Sequence, residues 1–171
     1  MSDSMPQPER IALVLSAVRQ SLLDVATEAP GEDVVGYAIC TDDDVMTVFG
    51  VATTEPIAAS ADASIRWSAV EWPYGFASDA FSEVGEVLRA GVDRIVGDDD
   101  ACRTHVREWF ATFVEVLKQL RDTAGVRDDC LLYVCSTDPG ELMERLERES
   151  LDRLNPPGLV ARWALSHQED G

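Results

Sequence analysis

From Glu9 to Ala29 apolar residues recur at helical spacing (Ile11, Val14, Leu15, Val18, Leu22 and Val25), and Pro30-Gly31 ends the run. The spacing predicts a long amphipathic helix that opens near Pro8. The pattern then changes. "DVVGYAIC" and "VMTVFGVATT" are rich in β-branched and aromatic residues and flank "TDDD", so they read as a hairpin around a short acidic turn. The short side chains of Asp42, Asp43 and Asp44 suit that turn because they can accept from local backbone N–H groups. "EPIAASADAS" is a small-residue connector with room for a helical turn, "SIRW" reads as a further short strand, and Pro73-Tyr74-Gly75 breaks the chain.

Helical period returns at Ser78. Phe81, Val84, Val87, Leu88 and Val92 form one apolar face that closes near Gly97. Asp98, Asp99 and Asp100 make an acidic start for the next helix, about Ala101 to Thr123, which turns Val106, Trp109, Phe110, Phe113, Leu117 and Leu120 inward and stops at Gly125. "DDCLLYVCSTDP" is a buried strand, "GELMERLERESLDRLN" a helix ended by Asn155-Pro156-Pro157, and "LVARWALSH" a final short helix. The order α-β-β-(β)-α-α-β-α-α predicts an α+β single domain over residues 1–171. Its sheet is expected to be mostly antiparallel and covered by several amphipathic helices, with 1–7 and 167–171 flexible.

Charge changes the picture. Fourteen Lys plus Arg stand against thirty-two Asp plus Glu, a net charge of −18, and Lys118 is the sole lysine. Such a field disfavours nucleic acid and anionic membrane and speeds encounter with a basic protein partner. No window is apolar for the length of a membrane span, and "MSDSMPQPER" lacks the basic and apolar regions of a signal peptide, so a cytoplasmic location is expected.

The chemistry-bearing residues are sparse. There is no C-x-x-C, H-E-x-x-H, G-x-S-x-G or Gly-rich phosphate loop. Cys40, Cys102, Cys130 and Cys135 read as buried free thiols. Odd spacing sends Cys130 and Cys135 to opposite strand faces, and Cys102 with His105 gives two ligands where zinc needs three or four. His105 is the one plausible base, since His167 falls in the tail. The acidic triplets lack the ligand spread of a calcium loop. The expectation is therefore a chain with no metal and no cofactor, more binding domain than enzyme.

The densest cluster is "IRWSAVEWPYGF". Strand alternation puts Trp67 in the core and Arg66 outward, free to pair with Glu71, while Trp72 is at least partly exposed with Tyr74 beside it. Trp109 is expected in the core. Arg66, Glu71, Trp72, Tyr74, Asp42 and Asp43 are the candidate partner-binding residues, aromatics and arginine being common interface anchors. The alternative is a small-ligand binder or enzyme with a cleft near Trp67, Glu71 and Trp72. Homo-oligomerisation stays open.

The succession "YAICTDDD", "ATTE", "RWSAVEW" and "LNP" resembles a bacterial family of domains of unknown function, over Tyr37 to Asn155. Asp42, Asp43, Thr54, Glu55, Arg66, Trp67, Ser68, Glu71 and Trp72 stand at its characteristic positions, with no role attached to any. Some small acidic α+β families of this kind look like immunity proteins encoded beside bacterial toxins. With the net charge of −18, the small single domain and the absent catalytic motifs, the resemblance gives the expectation of a non-catalytic binding domain, an immunity protein that neutralises a basic toxin.

Overall fold

Tyr37-Ala38-Ile39-Cys40 is apolar without alternation, the mark of a strand covered on both faces. The computed structural model describes residues 5–62, 66–123, 126–138 and 140–166, and there this run is the centre of β1 (Val34–Thr41). β2 (Val48–Thr54) returns antiparallel beside it, Cys40 opposite Phe49. β3 (Leu131–Ser136) lies on the other side of β1 and runs parallel to it, Cys40 beside Cys135, so the order is β2-β1-β3. The fold is α+β, but its sheet is mixed, which corrects the expectation of a mostly antiparallel one. A parallel neighbour needs a long crossover, and the helices between β2 and β3 supply it.

Those helices are α2 (Glu55–Ser60), α3 (Ser82–Asp93) and α4 (Asp99–Asp122), with a 3-10 turn at Ala69–Glu71. α1 (Gln7–Glu28) precedes the sheet, and α5 (Glu141–Leu154) and α6 (Pro157–Ser166) follow it. The Asp98 carboxylate caps α4 by accepting from the backbone N–H groups of Asp100 and Ala101 at 3.1 and 2.9 Å, so the second acidic triplet serves a helix start. The strand expected at "SIRW" does not form. Arg66 and Trp67 are helical, the Arg66 N–H bonding to the Asp62 carbonyl, while Ser64 and Ile65 lie outside the described residues. Gly125, residues 1–4 and 167–171 also lie outside them, and Gln7 already belongs to α1.

The two faces of the sheet meet different partners. Tyr37, Ile39, Leu132 and Val134 pack with Val14, Val18, Leu88, Phe113 and Leu117 from α1, α3 and α4, and Trp109 is buried there as expected. Ala38, Cys40, Tyr133 and Cys135 pack instead with Trp72, Leu151, Leu159 and Trp163. Cys130 and Cys135 fall in opposite layers, as their spacing predicts. Cys135 also meets Cys40 across the strands, Sγ to Sγ 2.6 Å, a neighbour that no local spacing discloses.

Both outer edges are occupied. Along β3 the N–H groups of Leu132, Val134 and Ser136 donate to Asn155 Oδ1, Ser150 Oγ and Glu147 Oε2 at 2.8, 3.1 and 3.1 Å. Side chains of α5 and its C-terminal cap thus stand in for a fourth strand and block edge-to-edge pairing. Along β2 the backbone of Tyr74 makes both hydrogen bonds to Ala52. Gly75 lets the chain approach this closely, because at φ +99° a Cβ would press on the Gly50 carbonyl oxygen.

Candidate functional site

The candidate residues divide between the two ends of the sheet. At the end where β1 and β3 begin, Trp72 is 1% exposed, which corrects the expectation of a partly exposed residue. Gly36 explains it. A Cβ on Gly36 would come within 2.6 Å of Trp72 Cη2, so the indole occupies the space a side chain would take. The Trp72 ring meets Tyr133 edge-on at 5.9 Å, and its Nε1–H donates to the Arg66 carbonyl at 3.2 Å. The Tyr133 hydroxyl accepts from the Ala69 N–H at 2.8 Å and donates to the Trp67 carbonyl at 3.2 Å. Burial pushes the Tyr133 phenol well above its ordinary range, so it stays protonated and keeps both roles.

Trp67, expected in the core, is half-buried, and its ring carries two cations instead. The guanidinium of Arg66 lies 5.3 Å from the ring centroid and that of Arg162, on α6, lies 5.7 Å away. Glu71 is exposed, and no Arg66–Glu71 ion pair stands among those of the described residues. Beside Trp67 is a cleft of about 50 Å³, lined by Arg66, Trp67, Trp72, Arg162, Glu55 and Asp129 among others; Glu71 is not part of it.

At the opposite end the Asp42 carboxylate accepts from the Met46 and Thr47 N–H groups at 2.7 and 3.1 Å and from the Thr47 hydroxyl at 2.8 Å. Asp42 therefore builds the turn. The turn holds Val45, a buried β-branched residue, at φ +54°, a costly conformation. Asp43 points into a carboxylate crowd: its own partial burial, then Asp44, Asp138 and Asp42, raise its pKa above the ordinary value. Burial likewise brings Glu147 up to about 7, the hydrogen bond from the Ser136 N–H offsetting part of the rise. Phe76, 53% exposed, packs on Phe49 with ring centroids 5.4 Å apart and the rings tilted by 37°, and Phe49 lies two residues after Thr47 of the same turn. Tyr74 is half-buried and contributes chiefly its backbone.

His105 reaches the same turn from an open groove of about 1370 Å³ between α1, α3 and α4. Burial lowers its pKa, and its Nε2 lies 3.4 Å from the Val45 carbonyl oxygen. The nearby Glu108 is engaged by Arg10 at 2.6 Å. Among the described residues no three His, Cys, Asp or Glu side chains are grouped to hold a metal ion, and no helix is long and apolar enough to cross a membrane.

The structure thus joins Arg66 to Trp67 and Trp72 at one end and Asp42 to Asp43 at the other. It adds Arg162, Phe76, Asp138 and Glu147, which sequence reasoning did not select. Only Arg162 left a trace, since Arg-Trp occurs twice, at Arg66-Trp67 and Arg162-Trp163. No curated protein and no solved structure matches the chain. A family model does, the domain of unknown function DUF4303, over residues 14–156. That match spans most of the chain and both ends of its sheet, and by it the protein belongs to the DUF4303 family.

Proposed function

We propose that this chain is a non-catalytic protein-binding domain that engages a basic protein through the acidic end of its sheet. One observation carries the reading: an exposed aromatic, Phe76 on Phe49, adjoins a turn whose Asp43 and Asp44 crowd Asp138. An exposed aromatic beside a cluster of like charge suits a partner that supplies the opposite charge. The net charge of −18 adds long-range steering. The partner class we favour is a basic bacterial toxin, neutralised by masking as an immunity protein does.

The test is capture on immobilised wild-type protein beside Phe76→Ser and the double variant Asp43→Asn/Asp44→Asn, followed by rate measurements on whatever basic protein is retained. Phe76→Ser should speed dissociation roughly tenfold or more, because anchors act on the off-rate. The charge variant should slow association at low salt and match wild type at high salt, where the Debye length shortens. A partner whose on-rate ignores salt, or which binds both variants as well as wild type, removes the proposal.

A further inference from the structure

Cys40 and Cys135 are ninety-five positions apart, yet β1 and β3 bring them side by side in parallel register. Both side chains leave the same face of the sheet, into the layer of Trp72, Leu151 and Trp163, and the sulfurs touch at 2.6 Å. The sheet thus supplies the geometry of a disulfide. Neighbouring strands lie about 4.8 Å apart, within the roughly 4.4–6.8 Å between Cα atoms that a disulfide spans, so the bond can form without moving the backbone. The other two cysteines do not compete for either sulfur. Cys130 is buried in the opposite layer, and Cys102 is half-buried on α4 with its Sγ toward the Ile95 carbonyl at 3.7 Å.

A bond at this place would hold a weak point of the sheet. Cys40 and Cys135 are each the last residue but one of their strands. Asp43 follows β1 and Asp138 follows β3, and their like charges act on one another across the two strand ends. The chain between the two cysteines is the whole crossover through α2, α3 and α4, and closing so long a loop removes much freedom from the unfolded chain. Access sets the oxidant and the pace. The thiols are 0% and 3% exposed, so a reagent must be small and must use local opening of this end. Contact with Cys40 and burial push the Cys135 thiol well above its ordinary range, which keeps it protonated and makes closure slow.

We infer that Cys40 and Cys135 form a dithiol that hydrogen peroxide oxidises to a disulfide joining β1 to β3. One sulfur takes an oxygen from the peroxide and becomes a sulfenic acid, while the other oxygen leaves as water with the thiol proton. The second sulfur attacks the first, the S–S bond forms, and a second water leaves. Two electrons and two hydrogens pass from the thiols to one peroxide, and a dithiol reductant returns them. The pair does not depend on the protein partner proposed above.

In the test, intact wild-type protein is treated with hydrogen peroxide, folded and in urea. It is then blocked with iodoacetamide under denaturing conditions and its peptides are mapped by mass spectrometry. From the folded protein a peptide pair linked through Cys40 and Cys135 is expected, two hydrogens lighter than the sum of its parts and absent after dithiothreitol. In urea the sheet no longer selects the partner, and the short loop between Cys130 and Cys135 should be the favoured link. The oxidised protein should unfold at a higher urea concentration than the reduced one, and dithiothreitol should reverse the shift. Cys102→Ala should keep both the link and the shift, and Cys135→Ala should lose both; a melt shows whether that variant is folded, and the wild-type map decides even where it is not. A folded protein that gives no Cys40–Cys135 link, one linked instead through Cys102 or Cys130, or a link that lowers the urea midpoint would each overturn the assignment.

Discussion

The two ends of the sheet solve the burial of polar chemistry in opposite ways. Where β1 and β3 begin, charge is laid on top of a finished apolar structure. Trp72 fills the space over Gly36, Tyr133 closes against it, and only then do Arg66 and Arg162 cover Trp67. Where the same strands end, charge is built into the structure itself. Asp42 holds the turn, Val45 is strained within it, and the Glu147 carboxylate caps the edge of β3. Charge variants at the first end should therefore leave the fold alone, whereas removing Asp42 or Glu147 at the second end should alter the fold and its pH dependence. A net charge of −18 hides that division.

The largest effect expected is at the apolar floor of the first end. Trp72→Ala should cost about 3–5 kcal/mol in a urea melt, since it empties a fully packed aromatic site, whereas Trp67→Ala should cost about 1 kcal/mol because much of its ring faces solvent and arginine. Equal losses at the two tryptophans would mean that the cations at this end are structural after all, and the contrast between the ends would fall.

That pair of tryptophans also marks where sequence reasoning stops. α1, β1, β2, α4 and β3 were legible because each is long enough to show a period or an unbroken apolar run. The segment Arg66–Trp72 holds two helical residues, Arg66 and Trp67, and a 3-10 turn, too short for either signal, and the strand template imposed on it exchanged the surroundings of Trp67 and Trp72. Gly36 determines that outcome from thirty-six residues away. The parallel pairing of β3 was hidden for a related reason: its unbroken burial can be read from "CLLYVC", but the choice of β1 as neighbour is made by tertiary packing. The acidic end was half legible. Short aspartates announce a turn, yet nothing in "LERESLDRLN" says that Glu147, Ser150 and Asn155 will line a strand edge.

Glu147 gives the sharpest test of the second end. Its folded pKa of about 7 lies above its ordinary 4.5, so the folded state binds the proton more tightly than the unfolded chain. The stability this supplies is complete below about pH 4.5 and is lost as pH rises through about 7. At pH 8 the charged group should therefore weaken the fold, with a ceiling of about 3 kcal/mol. Glu147→Gln keeps an oxygen for the Ser136 N–H and removes the charge. Its melting temperature should exceed wild type at pH 8 and equal it near pH 4. A variant that is no more stable at pH 8 would show that Glu147 is hydrated and that the edge cap carries no burial cost.

The smallest effects come from two neighbouring aspartates and separate construction from crowding within the acidic end. Asp42 accepts three hydrogen bonds that fix the chain on the far side of Val45, so Asp42→Ala should cost about 1–2 kcal/mol, nearly independent of salt. Asp43 accepts none of these and faces Asp44 and Asp138, so Asp43→Asn should stabilise by about 0.3 kcal/mol at low salt. The gain should vanish at 1 M salt, where the Debye length is about 3 Å. It should also vanish in acid: the folded pKa of Asp43 lies above 3.8, so protonation removes the same charge as pH falls through the carboxylate range. Melts of both variants at two salt concentrations and two pH values decide it. Loss of stability in Asp43→Asn would mean that this carboxylate, like Asp42, is spent on the turn, and the crowding at the proposed partner surface would lose its physical basis.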